Sequence, residues 1–224
     1  MNEPVFGCAV HGLEDGAMKI AAVVLVGLIS ALICGQCGAG AQESSKDAPA
    51  QSLNESGKTS VDGKMVSYLI RRLPVNSFPE LPDAVAETLT QRGCLIPQTY
   101  AAHRPENVIH ASLDGAGSSD WAVLCSAHGT VELLAFFARV PGKAMTVASA
   151  QELERIQRHD STGVYGFDWG IDSASPKQVR EAQSGLEHHP PAVDHDALAD
   201  TVLNQNTIYR FYAHEKWTKL DVAE

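Results

Sequence analysis

The stretch Asn107–Phe137 (NVIHASLDGAGSSDWAVLCSAHGTVELLAFF) decides the fold class that the sequence predicts. Three runs in and just beyond it are rich in branched and aromatic residues, as β-strands are; they are residues 107–113, 121–126 and 131–138. The two connections between these runs are short and rich in turn-forming residues. The pattern predicts an antiparallel β-meander in which 121–126 is the central and most apolar strand.

A helix is predicted before the meander, at about residues 82–92. Pro82 suits the first helical turn, where its missing N–H costs nothing. Val85 and Leu89 form an apolar stripe at a spacing of four residues. Gly93 suits the left-handed conformation that ends many helices.

Short helices and a hairpin are predicted after the meander. The helices are 151–158, 175–184 and 192–204, the last with Asp194 as its N-cap. The order of elements predicts an α+β fold, an antiparallel β-meander with a terminal β-hairpin packed against a few short helices. The hairpin joins residues 207–213 to residues 216–220, and one of its faces is expected to carry Tyr209, Phe211, Trp217 and Leu220, with Tyr212 on the other.

Residues 107–138 resemble one unit of the FG-GAP or VCBS type of β-propeller repeat, which has a strand, a Gly/Asp-rich turn ending in Asp, an apolar strand, a turn and a further strand. In that family the turn often binds calcium, and the resemblance implies a calcium site at Asp114 and Asp120. The unit occurs once, whereas a propeller needs four or more blades. The resemblance therefore implies a local strand-turn-strand unit and not a propeller.

A second resemblance concerns the segments RGCLIPQ (92–98), DWAVLC (120–125) and KWTKL (216–220). Together they are similar to a group of uncharacterised exported bacterial proteins. The similarity implies a bacterial periplasmic or secreted setting, and it implies no activity.

The N-terminal region has the pattern of a secretory signal peptide. Residues 20–34 carry no charge, and a helix of that length is shorter than the roughly 20 residues that span a bilayer. Ala39-Gly40-Ala41 supplies a small-x-small cleavage pattern, so we expect cleavage between Ala41 and Gln42 and a leader of residues 1–41. Because Glu14 and Asp15 are unfavourable in a leader, the true start is expected at Met18. An uncleaved anchor and a lipoprotein are the alternatives.

The mature chain would begin with a polar segment, residues 42–64, which we expect to be a flexible tether. A single α+β domain is expected over 65–224. Loss of the leader changes the formal net charge from −10 to −8, because three acidic residues and Lys19 leave. An acidic chain lacks the basic surface that binds nucleic acid or anionic membranes. The sequence thus predicts a periplasmic or secreted protein with no nucleic-acid partner and no stable membrane span after cleavage.

Two cysteines, Cys94 and Cys125, remain after loss of the leader. In an oxidising compartment they are expected to form one disulfide. Closure of a loop of about 32 residues would stabilise the fold by roughly 3–4 kcal/mol. The alternative is a reactive thiol at Cys125, three residues before His128.

Residues 188–196 (HHPPAVDHD) form the densest group of ligand-type side chains. His188, His189, Asp194 and His195 would bind zinc or copper if they converged. Asp194 at a helix N-cap with His195 as a solvated neighbour is the alternative interpretation. No cofactor is predicted other than this metal or calcium.

Trp121 and Trp169 lie beside turns, where they could form a ligand platform, although core packing is the commoner role of tryptophan. The chain contains no G-x-S-x-G, no H-E-x-x-H and no phosphate-binding glycine loop. The leading hypothesis is therefore an exported, non-catalytic domain that binds a protein or cell-envelope component through its sheet and terminal hairpin. A metal-dependent hydrolase or metal-binding protein that uses residues 188–196 is the alternative.

Overall fold

Thirteen β-strands in two sheets dominate the computed structural model, which describes residues 53–159, 162–184, 192–205 and 207–221. These residues belong to one compact unit, 47–224. Strands contain 52% and helices 15% of the described residues, so the α+β prediction is wrong and the fold is β-rich. The predicted leader, its cleavage site and the first part of the predicted tether lie outside the described residues.

The strands are numbered in chain order. They are β1 (Asn54–Val61), β2 (Lys64–Pro74), β3 (Leu95–Gln98), β4 (Val108–Ala111), β5 (Asp120–Ala127), β6 (Thr130–Phe136), β7 (Ala144–Gln151), β8 (Ile156–His159), β9 (Val164–Phe167), β10 (Trp169–Ala174), β11 (Ala197–Val202), β12 (Thr207–Ala213) and β13 (Lys216–Asp221). The helices are α1 (Asp83–Gln91) and α2 (Pro176–Gln183), with short 3-10 turns at Val75–Ser77 and Glu152–Glu154.

The large sheet has the order β7-β6-β5-β3-β2-β9-β8, with β1 also paired to β2 and β4 also paired to β5. Its only parallel pair among the described strands is β2 with β9. The predicted meander is confirmed as β4-β5-β6, with β5 in the interior of the sheet. The small sheet has the antiparallel order β10-β11-β12-β13.

Three clusters of buried side chains divide the fold into layers. The largest cluster joins the two sheets, and Leu124 of β5 and Tyr212 of β12 both belong to it. Since side chains alternate along a strand, the neighbouring residues Cys125 and Phe211 face the other way. Cys125 packs with α1 against the outer face of the large sheet. Phe211 packs with α2 against the outer face of the small sheet.

Both predicted helices that flank the sheets are confirmed. Helix α1 buries Val85 and Leu89, the stripe seen in the sequence, and Gly93 follows with a φ of +70°. Helix α2 begins with a capping box in which the backbone N–H groups of Ser175 and Gln178 donate to each other's side chains.

Asn107 joins three strands of the β-rich core. Its backbone is left-handed, with a φ of +69°, and its side chain is buried. The side-chain amide donates to the carbonyls of Pro97 (2.7 Å) and Trp169 (3.2 Å), and Oδ1 accepts from the N–H of Ile171 (3.0 Å). The backbone carbonyl accepts from the N–H of Leu124 at 3.0 Å. One side chain therefore bridges β3 and β10, while its own backbone is bound to β5.

The helix predicted at 192–204 is wrong, because 197–202 form β11 in the interior of the small sheet. Asp200 is buried there, and its carboxylate accepts from the indole N–H of Trp169 (2.6 Å) and from Nε of Arg210 (2.7 Å). These partners on other strands override the local helical pattern. Asp194 consequently caps no helix.

The helix predicted at 151–158 is also wrong, because residue 151 ends β7 and residues 156–159 form β8. The cause is Glu152, whose side chain is only 1% exposed and hydrogen-bonded to Arg72 and Ser126.

Residues 54–61, assigned from sequence to a tether, form β1 and pair along their whole length with β2. The folded part of the chain thus begins earlier than the sequence predicts.

The terminal hairpin is confirmed as β12-β13, with one error in its predicted faces. Trp217 pairs with Tyr212 and packs beside Phe137 in the cluster between the sheets. Phe211 and Leu220 lie on the opposite face, against α2. In the described part of the chain, no helix is both long and apolar enough to cross a membrane.

Candidate functional site: an open cleft on the large sheet

An open cleft of about 290 Å³ lies on one face of the large sheet, where β2, β9 and β8 are adjacent. The register brings Leu69 beside Gly166, and Val164 beside His159. Because alternate residues share a face, Arg71 lies on the same side as Leu69. The residues that line the cleft include Leu69, Arg71, Tyr100, His159, Val164 and Gly166.

The opposite face of the same strands is part of the protein core. Ile70 and Phe167 are fully buried there, and Tyr68 and Tyr165 pack against them. On the cleft face, Leu69 is 41% exposed and Met65 is 68% exposed. This end of the sheet thus has one covered face and one face that presents apolar side chains to solvent.

Tyr100 forms a wall of the cleft, and several contacts fix its ring. Its hydroxyl donates to the side chain of Gln157 (3.1 Å) and accepts from the amide of Asn204 (2.9 Å). Its ring meets the His159 ring edge-on, with centroids 4.8 Å apart. A Cβ atom on Gly166 would lie 2.5 Å from the Cβ of Tyr100, so this approach requires glycine at position 166.

Arg71 supplies a cation at the rim of the cleft. Its Nη2 donates to the backbone carbonyls of Thr99 (2.9 Å) and Ala102 (3.1 Å), the residues on either side of the Tyr100–Ala101 pair. The guanidinium is therefore held in place although the residue is exposed. This restraint leaves little side-chain entropy to lose if the guanidinium makes a further contact.

A second cleft, of about 260 Å³, lies near Ser126 and His128. The Ser126 hydroxyl is buried and donates to Glu152 at 2.6 Å, and Glu152 forms an ion pair with Arg72. Burial by itself lowers the pKa of Arg72, but hydrogen bonds to Glu152 and Glu55 raise it above its usual value. These groups bind one another and tie β1, β2 and β5 to the turn after β7.

The pKa of Tyr68, beside this cluster, is raised by burial and by the neighbouring Glu55 carboxylate. Elsewhere, burial raises the pKa of Asp168 above its ordinary value, and Arg155 partly offsets that effect. The Nε of Arg155 lies 3.7 Å from Oδ1 of Asp168, while its guanidinium stacks on Trp169, 4.5 Å from the ring centroid. Trp169 itself is buried in the cluster between the two sheets, the core-packing role that the sequence favoured.

Trp121 is half-buried, and it packs against the cluster of side chains between α1 and the large sheet. It therefore also has the core-packing role. Its ring stacks on His110, with centroids 4.8 Å apart.

The predicted disulfide between Cys94 and Cys125 is confirmed, with a Cα–Cα distance of 5.0 Å. It joins the end of α1 to β5, as the sequence predicts. The reactive-thiol alternative for Cys125 does not apply to the oxidised protein.

The two carboxylates of the predicted calcium site both bind protein groups. Asp120 is fully buried, and its carboxylate accepts from the N–H groups of Leu113 (2.8 Å), Asp114 (3.0 Å) and Ala138 (2.8 Å). Asp114 forms an ion pair with Arg139. Calcium binding at Asp114 and Asp120 stays a prediction, which the melting temperature in calcium and in chelator would test.

The predicted metal site falls partly outside the described residues, because His188 and His189 are not among them. His195 is buried, and its Nδ1 lies 3.1 Å from the carbonyl oxygen of Asp196. The backbone N–H and carboxylate of Asp196 bond to Ser112, while Asp194 precedes them in a turn. Within the described ranges, no three His, Cys, Asp or Glu residues converge as metal ligands would. The zinc or copper hypothesis stays a prediction, which metal analysis of protein purified without a histidine tag would test.

Sequence reasoning missed every residue that lines the open cleft. The alternation of Met65, Leu69 and Arg71 in MVSYLIRR was the available signal for one strand. The partners Tyr100, His159 and Gly166 lie 29 or more residues further along the chain. Strand register places His159 and Gly166, and Tyr100 is placed by the hydrogen bond from its N–H to the carbonyl of Phe167 at 2.9 Å.

Comparisons of the chain with protein-family models, with curated proteins and with solved structures give no match. The resemblances to the propeller unit and to exported bacterial proteins remain expectations. The site geometry carries the functional argument.

Proposed function

We propose that the chain is an exported, non-catalytic binding domain whose ligand, a cell-envelope component, occupies the open cleft beside Leu69. The observation that carries this proposal is a partly apolar cleft on a sheet face whose reverse side is firmly buried. Ligand sites are typically concave and apolar with a few placed polar groups. Here Leu69 and Val164 supply the apolar surface, and Arg71 and His159 supply the polar groups.

The cleft, rather than the terminal hairpin, is the surface that supports binding. The sequence suggested that the terminal hairpin would take part in contacting a partner. Instead, Tyr212 and Trp217 pack in the cluster between the two sheets. Phe211 packs on the other face of the hairpin, in the cluster beneath α2. These side chains therefore pack the small sheet against the large sheet on one face and against α2 on the other.

An exported location is part of the proposal. The Cys94–Cys125 disulfide is compatible with an extracellular compartment. The signal-peptide pattern of residues 1–41 favours the bacterial periplasm or secretion. In such a setting a binding domain would meet envelope components directly.

A neutral fluorescent probe tests the proposed site. We expect N-phenyl-1-naphthylamine, which brightens in apolar surroundings, to bind the mature protein, and Leu69→Asp to abolish the enhancement by placing a charge in the cleft. Val140→Asp is the matched control, because Val140 is similarly exposed, at 44%, and does not line the cleft. Equal enhancement in the wild type and Leu69→Asp would place the probe elsewhere and contradict the proposed site. Turnover of a general hydrolase substrate panel would contradict the non-catalytic assignment.

A further inference from the structure

Two neighbouring arginines on β2 face opposite sides of the large sheet and have different surroundings. Arg72 is nearly buried and forms ion pairs with both Glu55 and Glu152. Arg71 is exposed and forms no ion pair with a described carboxylate. The charge of Arg72 is compensated inside the protein, whereas that of Arg71 is directed to the cleft.

Arg71 keeps hydrogen-bond donors for a ligand. Only its Nη2 is used, for the carbonyls of Thr99 and Ala102, and its Nε and Nη1 donate to no described residue. Those two backbone bonds restrain the long side chain, so a ligand need not restrain it on binding. A positioned guanidinium of this kind is a strong partner for a carboxylate.

The charge balance around the cleft favours an anion. The described residues that line it include one cation, Arg71, and no carboxylate. This differs from the chain as a whole, which has a formal net charge of −10. The apolar remainder, which includes Leu69, Val164 and the Tyr100 ring, requires a ligand with an apolar body.

With the proposed function as its premise, a narrower assignment follows: we propose that the cleft binds a small carboxylic acid with an apolar body. The carboxylate meets the guanidinium of Arg71, and the body lies against Leu69, Val164 and Tyr100. A volume of about 290 Å³ suits a small molecule rather than a folded partner. Arg71 thereby determines which ligands the domain accepts.

A matched pair of ligands tests the role of charge. Isothermal titration calorimetry would compare 4-phenylbutyrate with 4-phenylbutyramide, which share a body and differ in charge. We expect the acid to bind the wild type at least about tenfold more tightly, because hydrogen bonds to charged groups are stronger than those between neutral groups. Arg71→Gln should abolish this preference and retain binding of the amide.

Two further variants separate the local contact from other effects. Arg158→Gln removes an exposed charge from β8 on the opposite face of the sheet, since Arg158 pairs with Tyr165, and should leave the preference intact. Arg71→Lys keeps the charge and should restore part of the preference. If Arg71→Gln binds neither ligand, the Arg71→Lys variant decides the question. A retained preference for the acid over the amide supports the proposal, and absence of that preference contradicts it.

The outcomes distinguish this inference from the proposed function. Equal affinity of the wild type for acid and amide would overturn the inference and leave a neutral binding cleft. Tighter binding of a peptide with a free apolar C-terminus would assign the carboxylate to a protein partner and overturn the small-molecule assignment. If neither ligand binds and Leu69→Asp leaves probe fluorescence unchanged, both proposals fail.

Discussion

Asn107 shows how a single buried polar side chain specifies the arrangement of neighbouring strands. An asparagine offers two donors and one acceptor group, and here all of them have partners on the backbone of β3 and β10. Its left-handed backbone is tolerated better by asparagine than by most residues. The position thus combines an unusual backbone conformation with a fully hydrogen-bonded side chain.

Replacement of Asn107 should weaken the core substantially. We expect Asn107→Gly to lower the free energy of unfolding by about 3 kcal/mol, because two buried carbonyls and one N–H lose their partners. Glycine tolerates the positive φ, so the loss reports the hydrogen bonds rather than backbone strain. Urea denaturation followed by tryptophan fluorescence measures the change.

Asn204 is the matched control for that substitution. It has a φ of +57° and is exposed, and its one side-chain hydrogen bond to a described residue is to Tyr100. We expect Asn204→Gly to change the free energy of unfolding by less than about 1 kcal/mol. A similar loss in both variants would show that the bridge at Asn107 does not carry the stability assigned to it.

At the scale of elements, helix α2 depends on its N-terminal cap. The first N–H groups of a helix lack partners within the helix, and in α2 the first helical residue, Pro176, has no N–H. Ser175 and Gln178 satisfy two of them reciprocally, and the buried Val179 fixes the helix against the small sheet. The cap therefore positions the outermost layer on that side of the fold.

Removal of this cap should destabilise the domain measurably. We expect Ser175→Ala to lower the free energy of unfolding by about 1 kcal/mol, the usual effect of losing a serine N-cap. Urea denaturation would again provide the measurement. Ser173→Ala is the control, because Ser173 lies two residues earlier on β10 and its exposed hydroxyl caps no helix. An equal effect of both substitutions would argue against the capping role.

At the scale of the whole molecule, the Cys94–Cys125 disulfide restricts the unfolded chain. The two cysteines are 31 residues apart, and both are buried between α1 and the large sheet. We expect the double variant Cys94→Ala/Cys125→Ala to lose about 3–4 kcal/mol of stability by the chain-entropy argument. Denaturant unfolding of the oxidised wild type and of the double variant measures this difference.

Mass spectrometry supplies the control for the disulfide. The mature protein should gain two hydrogen atoms (two electrons and two protons) when a reductant opens the disulfide. Its N-terminus should be Gln42 if the leader is cleaved as predicted. Cleavage would remove the other three cysteines, Cys8, Cys34 and Cys37. Two free thiols in the exported protein would contradict the cross-link.

Local pattern was sufficient for the meander, for both helices and for the hairpin. Strand periodicity and short turns were enough at β4, β5 and β6, and Pro82 and Gly93 bounded α1. The disulfide followed from the expected oxidising compartment and the cysteine count alone. The strands, helices and hairpin depend on interactions between neighbours in the chain, which a sequence shows directly.

The tertiary structure alone decided that 197–202 are a strand and that 152–154 form a turn. Buried Glu152 pairs with Arg72, 80 residues earlier in the chain. Buried Asp200 bonds to Trp169 and Arg210 on the two neighbouring strands, and these contacts outweigh weak helical propensity. The proposed cleft has the same origin, because the parallel pairing of β2 with β9 places Leu69 and Arg71 beside residues almost a hundred positions later. The sequence by itself determined the local elements and the covalent link, whereas long-range pairing of backbone and buried charge determined the sheets and the surface they expose.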